Sequence, residues 1–468
     1  MRTIDKNNQF WKRVLFTAVP LLLLLICFSM WMLHDAPDNV LSLATAVALT
    51  FLFALCGIRF IPQWMDAWST RPWQPERMME GKRSGRAVAL HPFFGIVLAL
   101  ILFRILLFAA AYLVVLARDG YTGGIFDNLD IWNMLGSDSR HYLNIAENWY
   151  VQSGDDRLLI VFMPFYPLMV RLFHYVFQNY LVSGLFVSNV CCVFAGWMFY
   201  ELALLDMPKK DALRSLKFLC LLPASFLLSA PLSDSLFLLL TVSCVYFVRK
   251  DRYLPAGIMG FFAAFTRAPG ILVLAPCLFE LVGKIIRERR EHFDEANWRL
   301  SCIGKACSLL LIPAGLLLYC YINYSVTGNA TMFLVYQKEH WHQQLGWFFG
   351  TAATQMRSAL STFADNREMV WGLWVPNLVY LFASLSIVTA AQKKLRASSV
   401  AYFILYYLVC MGATWLLSGP RYLTVCYPLA MALGALTEKR WANWLATALC
   451  ICGLVYYLFA YVNQWYVY

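Results

Sequence analysis

The chain has 468 residues, of which 60% are hydrophobic and 14% charged, with a mean hydropathy of +0.58. Soluble domains carry roughly 25% charged residues, so composition excludes a soluble enzyme and points to a membrane protein. The net charge of +11 is not a nucleic-acid signal, because the basic residues lie in short loops between apolar blocks, where they set topology.

In chain order, the first apolar block runs about 14–33 behind Arg2, Lys6, Lys12 and Arg13. It is long for a signal-peptide core and lacks a small-residue cleavage site, so it is expected to stay as a helix. The second runs about 40–60, and the loop between them, His34 to Asn39, has no Lys or Arg. The next segment, 62–91, holds Arg71, Arg77, Lys82, Arg83 and Arg86 and is expected in the cytoplasm, which makes 1–61 an external-loop hairpin with a cytoplasmic amino terminus. A third block, about 92–117, delivers the chain outward to a long polar and aromatic loop, 118–181.

Further blocks fall near 182–204, 215–230, 233–248, 254–267, 270–286, 302–325, 371–390, 398–417, 422–437 and 443–463. Their connections alternate between basic and neutral, and the positive-inside rule puts the basic set in the cytoplasm. The expectation is an all-α polytopic membrane protein of about thirteen transmembrane helices, with 326–370 as a second external loop and a last helix within 441–468. The pairs 215–230 with 233–248 and 254–267 with 270–286 are short enough to be re-entrant or broken helices, which a bilayer tolerates when they pack inside protein. The fourteen cysteines mostly lie inside apolar blocks without zinc-type spacing and read as small buried hydrophobes.

On this topology the polar residues out of place in a membrane collect on the external side. They are Asp138, His141 and Tyr142; the turn Ser229 to Ser235 with Asp234; Thr266-Arg267-Ala268-Pro269-Gly270; the loop with Gln337, His340, Trp341 and His342; and Gly419-Pro420-Arg421-Tyr422. Asp138, His141 and Tyr142, at i, i+3 and i+4, would share one helix face. Each also has a plainer reading. Asp138 suits a helix cap, His141 an interfacial packing role, and Phe162 to Leu168 an interfacial aromatic anchor. Asp234 is paired, capping or functional, and Asp155-Asp156 reads as a solvated loop tip. Arg104, near the middle of the third block, needs a buried partner unless it snorkels or the block boundary lies elsewhere.

Three patches resemble the GPI mannosyltransferase II (PIG-V) family, including its bacterial members. The family's Trp-Asp-x-x-His-Tyr-x-x-Ile-Ala block is matched by Asp138, His141, Tyr142, Ile145 and Ala146, with Ser137 in place of the Trp. Phe162, Pro164, Tyr166, Pro167, Leu168 and Arg171 match its second block. Pro223, Ser225, Phe226, Ser229, Ser233, Asp234, Ser235, Leu236 and Phe237 match its third, with one added residue between Ser229 and Ser233 and Asp where Glu is common. Weaker echoes are Thr266 to Gly270 and Pro420-Arg421-Tyr422, so the similarity spans about 92–440. At position 137 a stacking surface is either missing or supplied by Trp132 or Trp149.

The resemblance implies a GT-C type membrane fold with a large first external loop, and transfer of a hexose, mannose in the family, from a polyprenyl-phosphate donor to an acceptor hydroxyl with inversion. It implies Asp138 as general base with His141 beside it. Arg267, Arg421 and Arg171, with Lys338 a further outward cation, would hold the donor phosphate. Tyr142, Tyr166, Asp234 and Trp341 would contact substrate. No metal or cofactor is expected, only the lipid-linked sugar donor as co-substrate. The expected partners are the bilayer, that donor, and a glycan, glycolipid or protein acceptor; nucleic acid is not among them. The carboxyl end, Gln464 to Tyr468, has no retention signal, and the expected setting is a bacterial cytoplasmic (inner) membrane, with the ER membrane as alternative. Two other classes stay open at this point: a lipid or glycolipid transporter or flippase, and a non-catalytic subunit of a glycosylation complex.

Overall fold

The computed structural model describes residues 2–69, 92–133, 137–292 and 295–468. Beyond residue 69, the basic segment expected at 62–91 lies outside the described residues. The described residues are mostly helical, with no strand among them; their only sheet-like pairing is a single bridge between Leu345 and Ala413.

In order, the helices are α1 (Arg2–Asp35), α2 (Val40–Ala67), α3 (Phe93–Asp119), α4 (Asp138–Asn148), α5 (Phe165–Phe177), α6 (Tyr180–Leu204), α7 (Lys209–Leu221), α8 (Asp234–Arg249), α9 (Tyr253–Thr266) and α10 (Leu274–His292). They continue with α11 (Ala296–Leu309), α12 (Leu311–Thr327), α13 (Met332–His340), α14 (Phe348–Thr362), α15 (Arg367–Met369), α16 (Val375–Ala391), α17 (Ala397–Cys410), α18 (Gly419–Thr424), α19 (Tyr427–Leu436) and α20 (Arg440–Val462).

Among the described residues, eight stretches are long and apolar enough to cross a membrane, or nine if the pair Asp155–Val161 and Phe165–Phe177, bent by 111°, is one span. That corrects the expected thirteen. The other five expected spans are helical but short: α7, α8, α9, α17 and α19 have 13, 16, 14, 14 and 10 residues. At 1.5 Å per residue none reaches ~30 Å. Prolines account for much of the shortening: Pro223 follows α7, Pro231 precedes α8, Pro269 follows α9, and Pro428 sits in the first turn of α19.

The short helices pack inside the bundle. Most of α8 is buried, between α6 and α9, and α19 lies on α7 and α16. Small residues let backbones approach: the Gly257 and Gly260 face of α9 meets α11 and α12 at Ser308 and Ile312. Both pairs expected as broken helices are broken. A 3₁₀ turn at Ser225–Ser229 lies between α7 and α8, and another at Ala268–Val273 lies between α9 and α10. Arg104 of α3 is buried at 5% exposure, and its Nη1 donates to the Ser225 carbonyl and to Ser229 Oγ, both at 3.2 Å. The intramembrane cation is thus spent on holding the first of these turns.

The hairpin α1–α2, outside the family-like region, packs on α14, where Phe28 and Trp31 meet Phe349 at 5.2 and 5.3 Å. All fourteen cysteines are free.

Candidate functional site

Four segments arrive at the same end of the bundle because of where their helices start and stop. Helix α8 runs from Asp234 to Arg249 and α9 returns from Tyr253 to Thr266, so Asp234 and Arg267 share one end while Arg249 and Arg252 mark the other. The basic connection Lys393-Lys394-Arg396 precedes α17, which runs back toward the site end. Its far end leads to α18 and Arg421.

Helix α4 begins at Ser137, whose Oγ accepts from the Ser139 N–H at 3.2 Å. The cap is therefore Ser137. Asp138 is the first helical residue, where a carboxylate is favoured by the helix dipole but is not needed as a cap. This corrects the capping alternative for Asp138 and accounts for the serine at 137, which is buried and hydrogen-bonded to Ser139.

Asp138, His141 and Tyr142 line one cavity of about 450 Å³. The His141 ring stacks on Phe162 at 5.0 Å. Tyr142 packs edge-on against Phe162 and Tyr166, at 5.3 and 5.4 Å, and its hydroxyl shares a 2.8 Å hydrogen bond with Ser233 Oγ. Burial pushes the Tyr142 phenol up to about 12, so it is neutral at physiological pH.

The centre of the site is a chain of four charges. Arg421 Nη1 donates to Asp138 Oδ2, and Arg421 Nε donates to Asp234 Oδ2 at 2.7 Å. Arg267 Nη1 donates to the other oxygen of Asp234. The order Asp138–Arg421–Asp234–Arg267 alternates in sign and sums to zero formal charge. Asp234 is fully buried, Arg421 and Arg267 are 3% and 8% exposed, and Asp138 is 34% exposed. Burial raises the Asp138 carboxyl, and the adjacent Arg421 guanidinium more than offsets this, leaving it below the ordinary carboxylate range. Asp138 is therefore ionised.

The arginines are placed by their backbones. Arg267 leaves α9 in extended conformation and lies over Phe237 and Tyr422 at 5.7 and 5.0 Å. Arg421 sits on α18, whose first N–H, at Gly419, is held by Asn377 Oδ1 at 3.0 Å. The same Asn377 donates to the Leu416 carbonyl at 2.9 Å.

Of the residues expected at a site, the cavity brings together Asp138, His141, Tyr142, Arg267, Arg421 and Trp341. It does not include Arg171, Tyr166 or Asp234. Arg171 donates to the carbonyls of Ala146 and Glu147 at 2.6 and 2.8 Å, securing the end of α4. It is not among the residues that line this cavity. Tyr166 is fully buried, its hydroxyl bonded to Gly184 and Ser188 at 3.0 and 2.8 Å, so it supports Tyr142 from below. Asp234 touches the arginines and is not a cavity wall. Lys338 is exposed outside the cavity. Neither Trp132, 4.6 Å from Phe108, nor Trp149, beneath Arg171, lines it; the indoles that do are Trp341 and Trp415.

Sequence reasoning missed Tyr319, Phe333, Gln343 and Trp415. Tyr319 and Phe333 carry no local signal, being aromatics in or beside an apolar stretch. Trp415 lies six residues before Arg421, and that adjacency was the available cue. Among the described residues, no group of three or more His, Cys, Asp or Glu is arranged to hold a metal ion.

No family model matches the chain, and no curated protein matches it. Similar solved structures include ArnT from Cupriavidus metallidurans bound to undecaprenyl phosphate, with 13% identity, a TM-score of 0.45, and coverage of 75% of this chain and 62% of that one. Another is the oligosaccharyltransferase AglB from Archaeoglobus fulgidus in complex with an inhibitory peptide and a dolichol-phosphate, with 10% identity, a TM-score of 0.38, and coverage of 78% and 56%. The oligosaccharyltransferase of Archaeoglobus fulgidus in the apo form gives 10% identity and a TM-score of 0.37. This chain thus spans less than two thirds of the length of the structures it resembles.

Proposed function

We propose that the chain is an inverting membrane glycosyltransferase of GT-C type. It takes a hexose, mannose by the family resemblance, from a polyprenyl-phosphate donor and transfers it to an acceptor hydroxyl. The observation that carries this reading is an ionised carboxylate, Asp138, held by Arg421 on the wall of a cavity that also presents Arg267.

In the reaction the bond from the sugar's anomeric carbon to phosphate breaks, and its electron pair leaves with the phosphate. The acceptor oxygen bonds to that carbon from the opposite face and gives its proton to Asp138. Arg421 uses Nε and Nη1, and Arg267 uses Nη1, on the two carboxylates. The other guanidinium N–H groups are the donors for a phosphate, in a bidentate geometry to which arginine is suited. A phosphate arriving there competes with Asp138 for Arg421. That weakens the cationic hold on Asp138 and raises its basicity when the acceptor must be deprotonated. The apolar wall, with Val161, Met163 and Phe333, would limit water at the reacting centre once both substrates fill the cavity, favouring transfer over hydrolysis.

The test is transfer from polyprenyl-phosphate-mannose by the purified, reconstituted chain, with Asp138→Asn beside it. Asn keeps the shape and, because Ser137 is the cap, the start of α4. Transfer should fall by roughly 10²–10⁴ while polyprenyl-phosphate binding persists. A stable Asp138→Asn protein with most of its activity would remove Asp138 from the reaction.

A further inference from the structure

We infer that the cavity wall built by α13 and the loops after α13 and α17 is the acceptor site, and that it takes an uncharged carbohydrate. The inference rests on the donor and base assignment above and adds the chemical class of the second substrate.

The wall presents Gln337, Trp341, Gln343, Gln344 and Trp415. Every formally charged side chain lining the cavity, Asp138, Arg267 and Arg421, belongs to the ion chain, and the wall has none among the described residues. This follows from how α13 is turned, not from a lack of charges in the segment. Gln337 faces the cavity, whereas Lys338, Glu339 and His340, the next three residues, are exposed outside it.

The amides are already arranged. Gln337 Nε2 donates to Gln343 Oε1 at 2.6 Å, and Gln343 Nε2 donates to the Trp415 carbonyl at 3.2 Å. The two loops are clasped: Gly346 N–H to the Gly412 carbonyl at 2.9 Å, Thr414 N–H to the Gln344 carbonyl at 3.0 Å, and Gln344 N–H to Thr414 Oγ1 at 3.1 Å. Trp341 and Trp415 are thereby held on two tied loops. Trp341 meets Phe162 at 6.1 Å, and Phe162 is the ring on which His141 stacks, so the wall continues directly into the Asp138 face of α4.

Indole faces match the C–H faces of a pyranose, and amides both donate to and accept from hydroxyls. A uronate, phosphate or ammonium seated on this wall would lose hydration against uncharged side chains, so charged sugars are disfavoured there.

The experiment titrates the full chain in nanodiscs with three soluble probes, read by saturation-transfer NMR: methyl mannobioside, methyl glucuronide and methyl glucosaminide. Polyprenyl-phosphate binding is measured on the same samples. The neutral probe should bind at least about tenfold more tightly than either charged one. Trp415→Ala and Gln337→Leu should each weaken it about fivefold or more, with polyprenyl-phosphate affinity retained as evidence of folding. The inference is overturned if a charged probe binds as tightly as the neutral one. It is also overturned if both variants bind the neutral probe like the wild type, or if polyprenyl phosphate binds and the neutral probe does not. Loss of polyprenyl-phosphate binding in the wild type overturns instead the donor reading, and with it the acceptor assignment built on it.

Discussion

Asp138 and Asp234 carry the same group in different surroundings, and their expected behaviour differs accordingly. Asp138 is partly open to the cavity and paired with one arginine, whereas Asp234 is fully buried between two. Removing Asp234 leaves two desolvated guanidiniums facing each other. Breaking such a pair costs about 3–5 kcal/mol, so Asp234→Ala should lower the thermal midpoint and the yield of monodisperse protein far more than Asp138→Ala. Adding Arg267→Leu should recover part of the loss; if the double variant is worse than the single, the two groups are not a compensating pair. The pH dependence has a defined sign. In the proposed reaction Asp138 acts as the ionised base, and its pKa is depressed in the free protein, so activity should persist as pH falls until that depressed value is reached. A bound phosphate draws on Arg421 and moves the Asp138 pKa up. The acid limb of kcat should therefore lie at higher pH than the acid limb of kcat/KM for the donor, since these report the bound and free states. Coincident limbs would mean that the phosphate does not share Arg421.

At the scale of elements, the arginines depend on breaks in helices. Arg267 points to the site because α9 stops at Thr266 and the chain turns through the 3₁₀ segment Ala268–Val273. Gly270 permits that turn: a Cβ there would fall on the backbone of Ala263 and Ala264. Gly270→Ala should therefore displace Arg267 and weaken polyprenyl-phosphate binding by about tenfold or more, the loss of roughly one charge-assisted hydrogen bond of 1.5–3 kcal/mol. Equilibrium binding on folded protein checks this, and unchanged affinity would show that the turn tolerates a side chain.

For the molecule as a whole, the ion chain and cavity lie at one end of the bundle. Ion pairs such as Arg249–Asp206, Arg396–Glu280 and Lys284–Asp251 lie at the ends of helices leading away from it. By the positive-inside rule the second end is expected in the cytoplasm. In a background with the exposed Cys307 and Cys452 replaced, Arg140→Cys, beside Asp138, should react with an impermeant maleimide from the non-cytoplasmic side. Arg289→Cys should react only from the cytoplasm. The reverse pattern would put the site on the wrong side for an exported acceptor.

Composition and block length by themselves determined that the chain is an all-helical, multi-pass membrane protein, because a bilayer forces backbone hydrogen bonds into helices and leaves apolar stretches visible in the sequence. Charge alternation and motif order also singled out Asp138, His141, Tyr142, Arg267, Arg421 and Trp341, since polar groups in an apolar chain are conspicuous. The number of full spans was not legible, because α7, α8, α9, α17 and α19 are apolar enough to pass for spans and are cut short by breaks whose effect depends on what packs around them. Nor was the division of labour among the conspicuous residues. Arg171 and Arg421 look alike in sequence, yet one ends on the carbonyls of α4 and the other on two carboxylates. Asp138 and Asp234 are almost a hundred positions apart, and only the tertiary fold puts Arg421 between them. Coulomb interaction falls with distance through space, not along the chain, so which charges neutralise each other and which remain free for a substrate was decided by packing alone.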